Sequence, residues 1–138
     1  NKLIPLLYEQ ETKAIRDACY EVWHAFGGAF KESIVDHALS IALKKKGLSV
    51  DNQKRIDIYF EGEKVGTYVP DKIVNEKILI EVKCKPFLTR DDEKQFWCYL
   101  KASEYKIGLL VNFGTKRLEF KRRVYDMARR RPTETMRL

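Results

Sequence analysis

Asp71, Glu81 and Lys83 form a D-x9-E-x-K string, and its two halves flank Asn75-Glu76-Lys77. Folding the segment about Glu76 as an antiparallel hairpin places Asp71 opposite Glu81 and Ile73 opposite Leu79. Side chains alternate along a strand, so Asp71, Glu81 and Lys83 would emerge on one face. Directly opposed Cβ atoms lie about 4.5–5.5 Å apart. Two carboxylates at that spacing repel each other unless a cation lies between them. Mg²⁺ takes oxygen ligands at about 2.0–2.1 Å and is commonly held by one or two carboxylates, waters and a substrate phosphate. The backbone carbonyl of Val82 could add a ligand. Lys83 would then orient the attacking water, stabilise charge on the phosphate or act as a general base. The chemistry implied is activation of a Mg²⁺-held water beside a phosphate. The alternative is a surface hairpin with solvated or weakly paired charges. The flanks argue against it, because Ile78-Leu79-Ile80 and Val82 read as a buried central strand, where charge is costly unless paired or metal-bound.

The hairpin needs a scaffold. Ile15, Ala18, Cys19, Val22 and Phe26 recur at helical spacing and predict a helix over 10–26, ended by Gly27-Gly28. Val35, Leu39, Ala42 and Leu43 mark a second helix over 30–46, closed by Gly47. Alternation at Ile56, Ile58 and Phe60, then the Glu61-Gly62 turn into 65–69, predicts a hairpin. Thr89-Arg90-Asp91-Asp92 opens a helix to about Ser103. A strand over 106–113 and a basic helix over 118–131 complete the order. This is an α/β chain, a mixed sheet flanked by helices, in one domain over 1–138 with a basic tail from about 118.

Pro70-Asp71 with Glu81-Val82-Lys83 resembles the PD-(D/E)xK signature, and Gln95-Phe96-Trp97-Cys98-Tyr99 resembles the Q-x-x-x-Y motif of its RecB-like branch. The stretch from Phe26 to Leu39, with the segments 99–102 and 107–114, is similar to the GxxExxY family of that superfamily. Two positions depart from it: Ala29 stands where the motif has Gly, and Val35 where it has Tyr. The resemblance implies a restriction-endonuclease-like fold and Mg²⁺- or Mn²⁺-dependent phosphodiester hydrolysis, that of a nuclease with DNA favoured over RNA. A non-catalytic nucleic-acid-binding or assembly module that retains the fold is the alternative.

On that reading Asp71 and Glu81 are metal ligands, Lys83 the water or transition-state residue, and Glu32 and Gln95 auxiliaries. Glu32 either points inward as an outer metal ligand or is a first-turn acid complementing its helix dipole. Gln95 and Tyr99 are neighbours on one helix face. They either contact phosphate and orient the lysine, or form an amphipathic face. Lys121-Arg122-Arg123 and Arg129-Arg130-Arg131 either grip backbone phosphates or form a solvated basic face. Lys44-Lys45-Lys46 reads as a helix C-terminal charge cluster, and His24 and His37 as structural or solvated.

A net charge of +7 in 138 residues favours an anionic partner, nucleic acid first. No apolar run reaches the roughly 20 residues of a membrane span. The N-terminus turns polar too soon for a signal peptide. Cys19, Cys84 and Cys98 show no C-x-x-C pairing and read as buried free thiols in a reducing cytoplasm. A homodimer is compatible with the sequence. No aromatic base-stacking motif is legible that would separate DNA from RNA.

Overall fold

A computed structural model of the protein describes residues 8–125. Two helices come first, α1 (Glu9–Phe26) and α2 (Glu32–Lys45). α1 buries Ile15, Ala18, Cys19 and Val22, and α2 buries Val35, Leu39, Ala42 and Leu43, the stripes their spacing predicts. The turn between them is held tightly. A Cβ at Gly28 would lie 2.1 Å from the Gly114 carbonyl oxygen. Trp23 donates its indole N–H to that same oxygen at 2.9 Å. Only a glycine fits where two backbones approach so closely.

Seven strands follow: β1 (Val50–Asp51), β2 (Ile56–Phe60), β3 (Glu63–Tyr68), β4 (Lys72–Val74), β5 (Ile78–Lys83), β6 (Ile107–Phe113) and β7 (Leu118–Val124). α3 (Arg90–Ser103) connects β5 to β6. Five strands form a mixed sheet in the order β1-β4-β5-β6-β7, with β5 and β6 parallel and the other pairs antiparallel. β2 and β3 form a separate hairpin. The β4–β5 register pairs Ile73 with Leu79, the pairing expected for a turn centred on Glu76. Asn75 and Glu76 both take positive φ there, and the Asn75 side chain accepts the Ser49 N–H at 2.9 Å. Asparagine tolerates that conformation because its short polar side chain bonds locally.

Both faces of the sheet are covered. Ile78, Ile80 and Val82 of β5 pack with Leu109 and Val111 of β6 beneath α1 and α2. Leu79 and Ile73 pack on the other face with Leu110 beneath Phe96 and Leu100 of α3, beside Ile56 and Tyr68 of the hairpin. This two-sided burial explains the near-continuous apolar run of β5 and makes its two charges conspicuous. The result is the expected mixed sheet flanked by helices. Among the described residues no helix is long and apolar enough to cross a membrane.

Three details differ from the sequence reading. Residues 118–124 form strand β7 rather than the start of a basic helix. Leu118, Phe120 and Val124 alternate toward the helical layer, and pairing with β6 satisfies the backbone. The remainder of that expected helix, including Arg129 and Arg130, lies outside the described residues. Of the thiols only Cys19 is buried; Cys84 is half-buried and Cys98 exposed on α3. β1 has only two residues, too few for a periodic signal.

Among the described residues one charged side chain sits wholly inside. Lys72 on β4 is fully buried; its ammonium pairs with the Asp36 carboxylate of α2 and donates to the Asp36 carbonyl at 3.3 Å. The pair ties α2 to the strand carrying the acidic hairpin. Breaking a buried pair from one side strands an uncompensated charge. Asp36→Ala is therefore expected to destabilise the fold by about 2–4 kcal/mol, and Lys72→Met, which removes the buried charge itself, by less than half of that. Urea unfolding of both variants measures this, and equal losses would contradict it.

Candidate active site

Asp71 stands one residue before β4. Extending the Lys72–Ile80 pairing sets it opposite Glu81, on the face that carries Ile73 and Leu79. The Asp71 carboxylate accepts the Val82 N–H at 2.6 Å. Its carbonyl accepts from the Asn52 amide at 3.2 Å, and Asn52 in turn donates to Ser40 of α2 at 3.1 Å. Asp71 is thus held between β5 and Asn52.

Glu81 is half-buried, and its carboxylate accepts the phenol hydrogen of Tyr68 at the end of β3. The Tyr68 ring stacks on Tyr99 of α3 with centroids 4.2 Å apart and 14° between planes. Burial, then the adjacent Asp71 charge, pushes the Glu81 carboxyl up from 4.5 to about 8, against the pull of the Tyr68 hydrogen bond. Burial and the Glu81 charge likewise raise the Tyr68 hydroxyl, which therefore stays a donor.

Glu81 and Lys83 line a cleft of about 130 Å³ with Tyr68 on one side and Asp92, Gln95 and Tyr99 of α3 on the other, over Phe96 and Leu110. A Cβ on Gly108 of β6 would stand 2.6 Å from the Phe96 ring, so glycine lets α3 lie close to the sheet. The loop from β5 into α3 is fixed by Asn112, which is fully buried. Asn112 accepts the Lys85 N–H at 2.8 Å and donates to the Lys85 carbonyl at 3.0 Å and to Glu119 at 2.8 Å. Thr89 and Asp92 form a reciprocal capping box at the start of α3, and Lys85 pairs with Asp92 at 2.6 Å. Burial opposes ionisation of Asp92, but Lys85 and Thr89 hold its carboxyl at about 2.

The residues singled out from sequence fall into three groups. Asp71, Glu81 and Lys83 converge, and Gln95 and Tyr99 face them across the cleft. Glu32, the first residue of α2, feels that group from the other layer. Burial, then the Asp71 charge, raises its carboxyl, and Lys83 pulls it down. Among the described residues, however, no three His, Cys, Asp or Glu side chains stand together as a metal-holding group, so Glu32 does not complete a trio. Arg122 and Arg123 point to opposite faces of β7, beside α1 and α3 respectively, and neither lines the Glu81 cleft. His24 and His37 are exposed. Of the two departures from the motif, Val35 is a fully buried core residue and Ala29 is exposed.

Sequence reasoning missed Tyr68, Lys72, Asp36, Asn52 and Asn112. Tyr68 carried a signal only in its position at the end of an alternating strand. Asp92 was legible as a helix cap but not as part of the cleft wall.

Two carboxylate oxygen donors, crowded and partly desolvated, match what a hard divalent cation requires. Without a cation, Glu81 is a source of instability. The unfolded chain ionises it from about 4.5 upward while the folded chain holds the proton to about 8, so stability falls as pH rises through that window. Glu81→Gln is expected to stabilise the metal-free protein on the order of 2 kcal/mol at pH 8 and hardly at all at pH 4. Denaturation in EDTA at both pH values measures it. An equal loss of stability at both would contradict the strain assigned to this pair.

The family model of the PD-(D/E)XK nuclease superfamily matches residues 9–124. No curated protein and no solved structure matches the chain at a significant level. The matched stretch runs from the first turn of α1 to the end of β7, so it takes in the hairpin that opposes Asp71 to Glu81 and the helix that sets Gln95 across from Lys83; the chain belongs to the PD-(D/E)XK nuclease superfamily.

Proposed function

We propose that the protein is a divalent-metal-dependent phosphodiesterase that cleaves nucleic acid, DNA in preference to RNA. One observation carries the reading: a crowded carboxylate pair and a lysine on a buried hairpin open into a cleft walled by Gln95 and Tyr99. Asp71 and Glu81 would hold Mg²⁺ or Mn²⁺, with the Val82 carbonyl as a further oxygen donor and Glu32 as an outer acid. The cation would neutralise their charges and polarise the phosphate. Lys83 donates hydrogen bonds to a phosphate oxygen and stabilises the charge that develops there. Gln95 positions the attacking water or a phosphate oxygen through its amide, and Tyr99 contacts the strand. The basic residues Arg122, Arg123, Arg129 and Arg130 add attraction for the backbone.

The Q-x-x-x-Y resemblance of Gln95 to Tyr99 supports placement in the RecB-like branch, and the resemblance of residues 26–39 supports placement in the GxxExxY family. The three unpaired thiols support a reducing cytoplasm.

A second reading, a nucleic-acid-binding module without activity, draws on the absence of a third metal-holding side chain among the described residues. The two readings separate in one assay. The parent protein with Mg²⁺ or Mn²⁺ is expected to cut at least one of single-stranded DNA, duplex DNA and RNA, and to stop in EDTA. Glu81→Ala is expected to abolish cleavage, and Lys83→Ala to slow the single-turnover rate by about two to four orders of magnitude. A parent that cuts none of these with either metal would replace the nuclease reading with the binding module. A Lys83→Ala variant as fast as the parent would remove the lysine from the mechanism.

A further inference from the structure

A second cleft, of about 360 Å³, lies between α3 and β7, lined by Arg90, Glu93, Lys94, Trp97 and Arg123. Arg90, Glu93, Lys94 and Trp97 follow i, i+3, i+4, i+7 spacing and so share one flank of α3. Asp92, Gln95, Phe96 and Tyr99 repeat that spacing on the other flank, where they line the Glu81 cleft. The helix therefore separates two openings, and neither Asp71 nor Glu81 lines the larger.

The chemistry of the larger cleft is basic around an indole. Tyr125 meets the Trp97 ring edge-on, with centroids 6.1 Å apart and planes at 82°, which fixes the ring. Among the described residues Glu93 is the single acid of the lining, and it is engaged by Arg123 at 2.6 Å and Lys121 at 4.0 Å. Arg90 and Lys94 are exposed, and neither has an ion-pair partner among the described residues. The cleft thus carries surplus positive charge beside a large aromatic ring. The sequence after Tyr125 contains four arginines, Arg129, Arg130, Arg131 and Arg137, and two acids, Asp126 and Glu134, so its net charge is of the same sign as the cleft's.

We propose that this cleft is a second nucleic-acid subsite, in which a base of a single strand stacks on Trp97 while its phosphates meet Arg90, Lys94 and Arg123. A base offers a flat ring for the indole, and its two phosphates offer charge for the cations on either side. A base inside a duplex is already stacked and cannot reach the indole, so the subsite selects unpaired nucleotides. The proposal rests on the reading that the protein acts on nucleic acid, and it names the form of strand engaged beyond the catalytic cleft.

The test is anisotropy of a labelled oligothymidylate and of a labelled duplex with the full chain in EDTA, where cleavage does not intervene. Arg90→Ala and Lys94→Ala, both at exposed positions, are expected to weaken single-strand binding several-fold. Each should also lower the slope of log affinity against log salt by about 0.7. Trp97→Leu is expected to weaken it roughly 5- to 100-fold with little effect on the duplex. Its thermal midpoint is followed alongside, and the exposed charge-reversed variant Lys94→Glu supplies the same reading should Trp97→Leu fold poorly. Parental single-strand affinity in Lys94→Glu would overturn the proposal, as would equal weakening of the duplex in Trp97→Leu or Lys94→Glu. Loss of single-strand binding only on truncation after Tyr125, with the cleft variants unchanged, would overturn it in favour of the tail. A parent that binds no oligonucleotide at low salt would overturn it too. Failure of the nuclease reading appears instead as absent cleavage by the parent with metal, so the two failures are distinguishable.

Discussion

Two carboxylates set opposite each other on a buried hairpin are the constraint around which the rest of this protein is arranged. A like charge that close, together with partial removal from water, raises the cost of ionising Glu81. The protein meets the cost locally and incompletely. The Val82 amide bonds Asp71, and the Tyr68 phenol bonds Glu81, yet the Glu81 carboxyl remains raised to about 8. An apolar pair at these positions would give a more stable sheet. Retaining the acids makes sense where a cation completes the set, the usual exchange of stability for a functional site.

The surrounding framework keeps that strained geometry from relaxing. Lys72 points from β4 into the helical layer and pairs with Asp36, so α2 is anchored beside the acids. Asn52 bridges α2 to the Asp71 carbonyl. On the other face, Asn112 and Glu119 hold the loop that leads into α3. The reciprocal cap at Thr89 then starts the helix that presents Gln95 and Tyr99. Rigid elements thus supply every wall of the cleft, as a site that must hold groups within fractions of an ångström requires. The same helix turns its opposite flank, with Arg90, Lys94 and Trp97, toward a separate basic cleft.

The legible features were those written in local periodicity. The apolar stripes of α1 and α2 gave the helices, and symmetry about Glu76 gave the hairpin register that the structure contains. The cap at Thr89 marked α3. Long-range partnerships were not legible. Tyr68 reaches Glu81 only because the β2–β3 hairpin folds against α3, and no spacing in the chain encodes that. Lys72 reads as an ordinary strand lysine until α2 brings Asp36 to it. β7 reads as helix in the sequence because its many cations hide the period-two apolar residues Leu118, Phe120 and Val124. In the sequence Trp97 stands out only as part of the Gln95–Tyr99 motif, and its basic neighbour from β7, Arg123, reaches it only once the sheet is formed.

We propose that the Asp71–Glu81 pair is a cation site. Calorimetric titration of Mg²⁺ and Mn²⁺ into the parent, Glu81→Gln and Lys83→Ala tests it most directly. Saturable binding by the parent and its loss in Glu81→Gln are expected. Binding should be retained or tighter in Lys83→Ala, where a neighbouring positive charge is gone. Parental metal affinity in Glu81→Gln, or no binding by the parent at all, would contradict it.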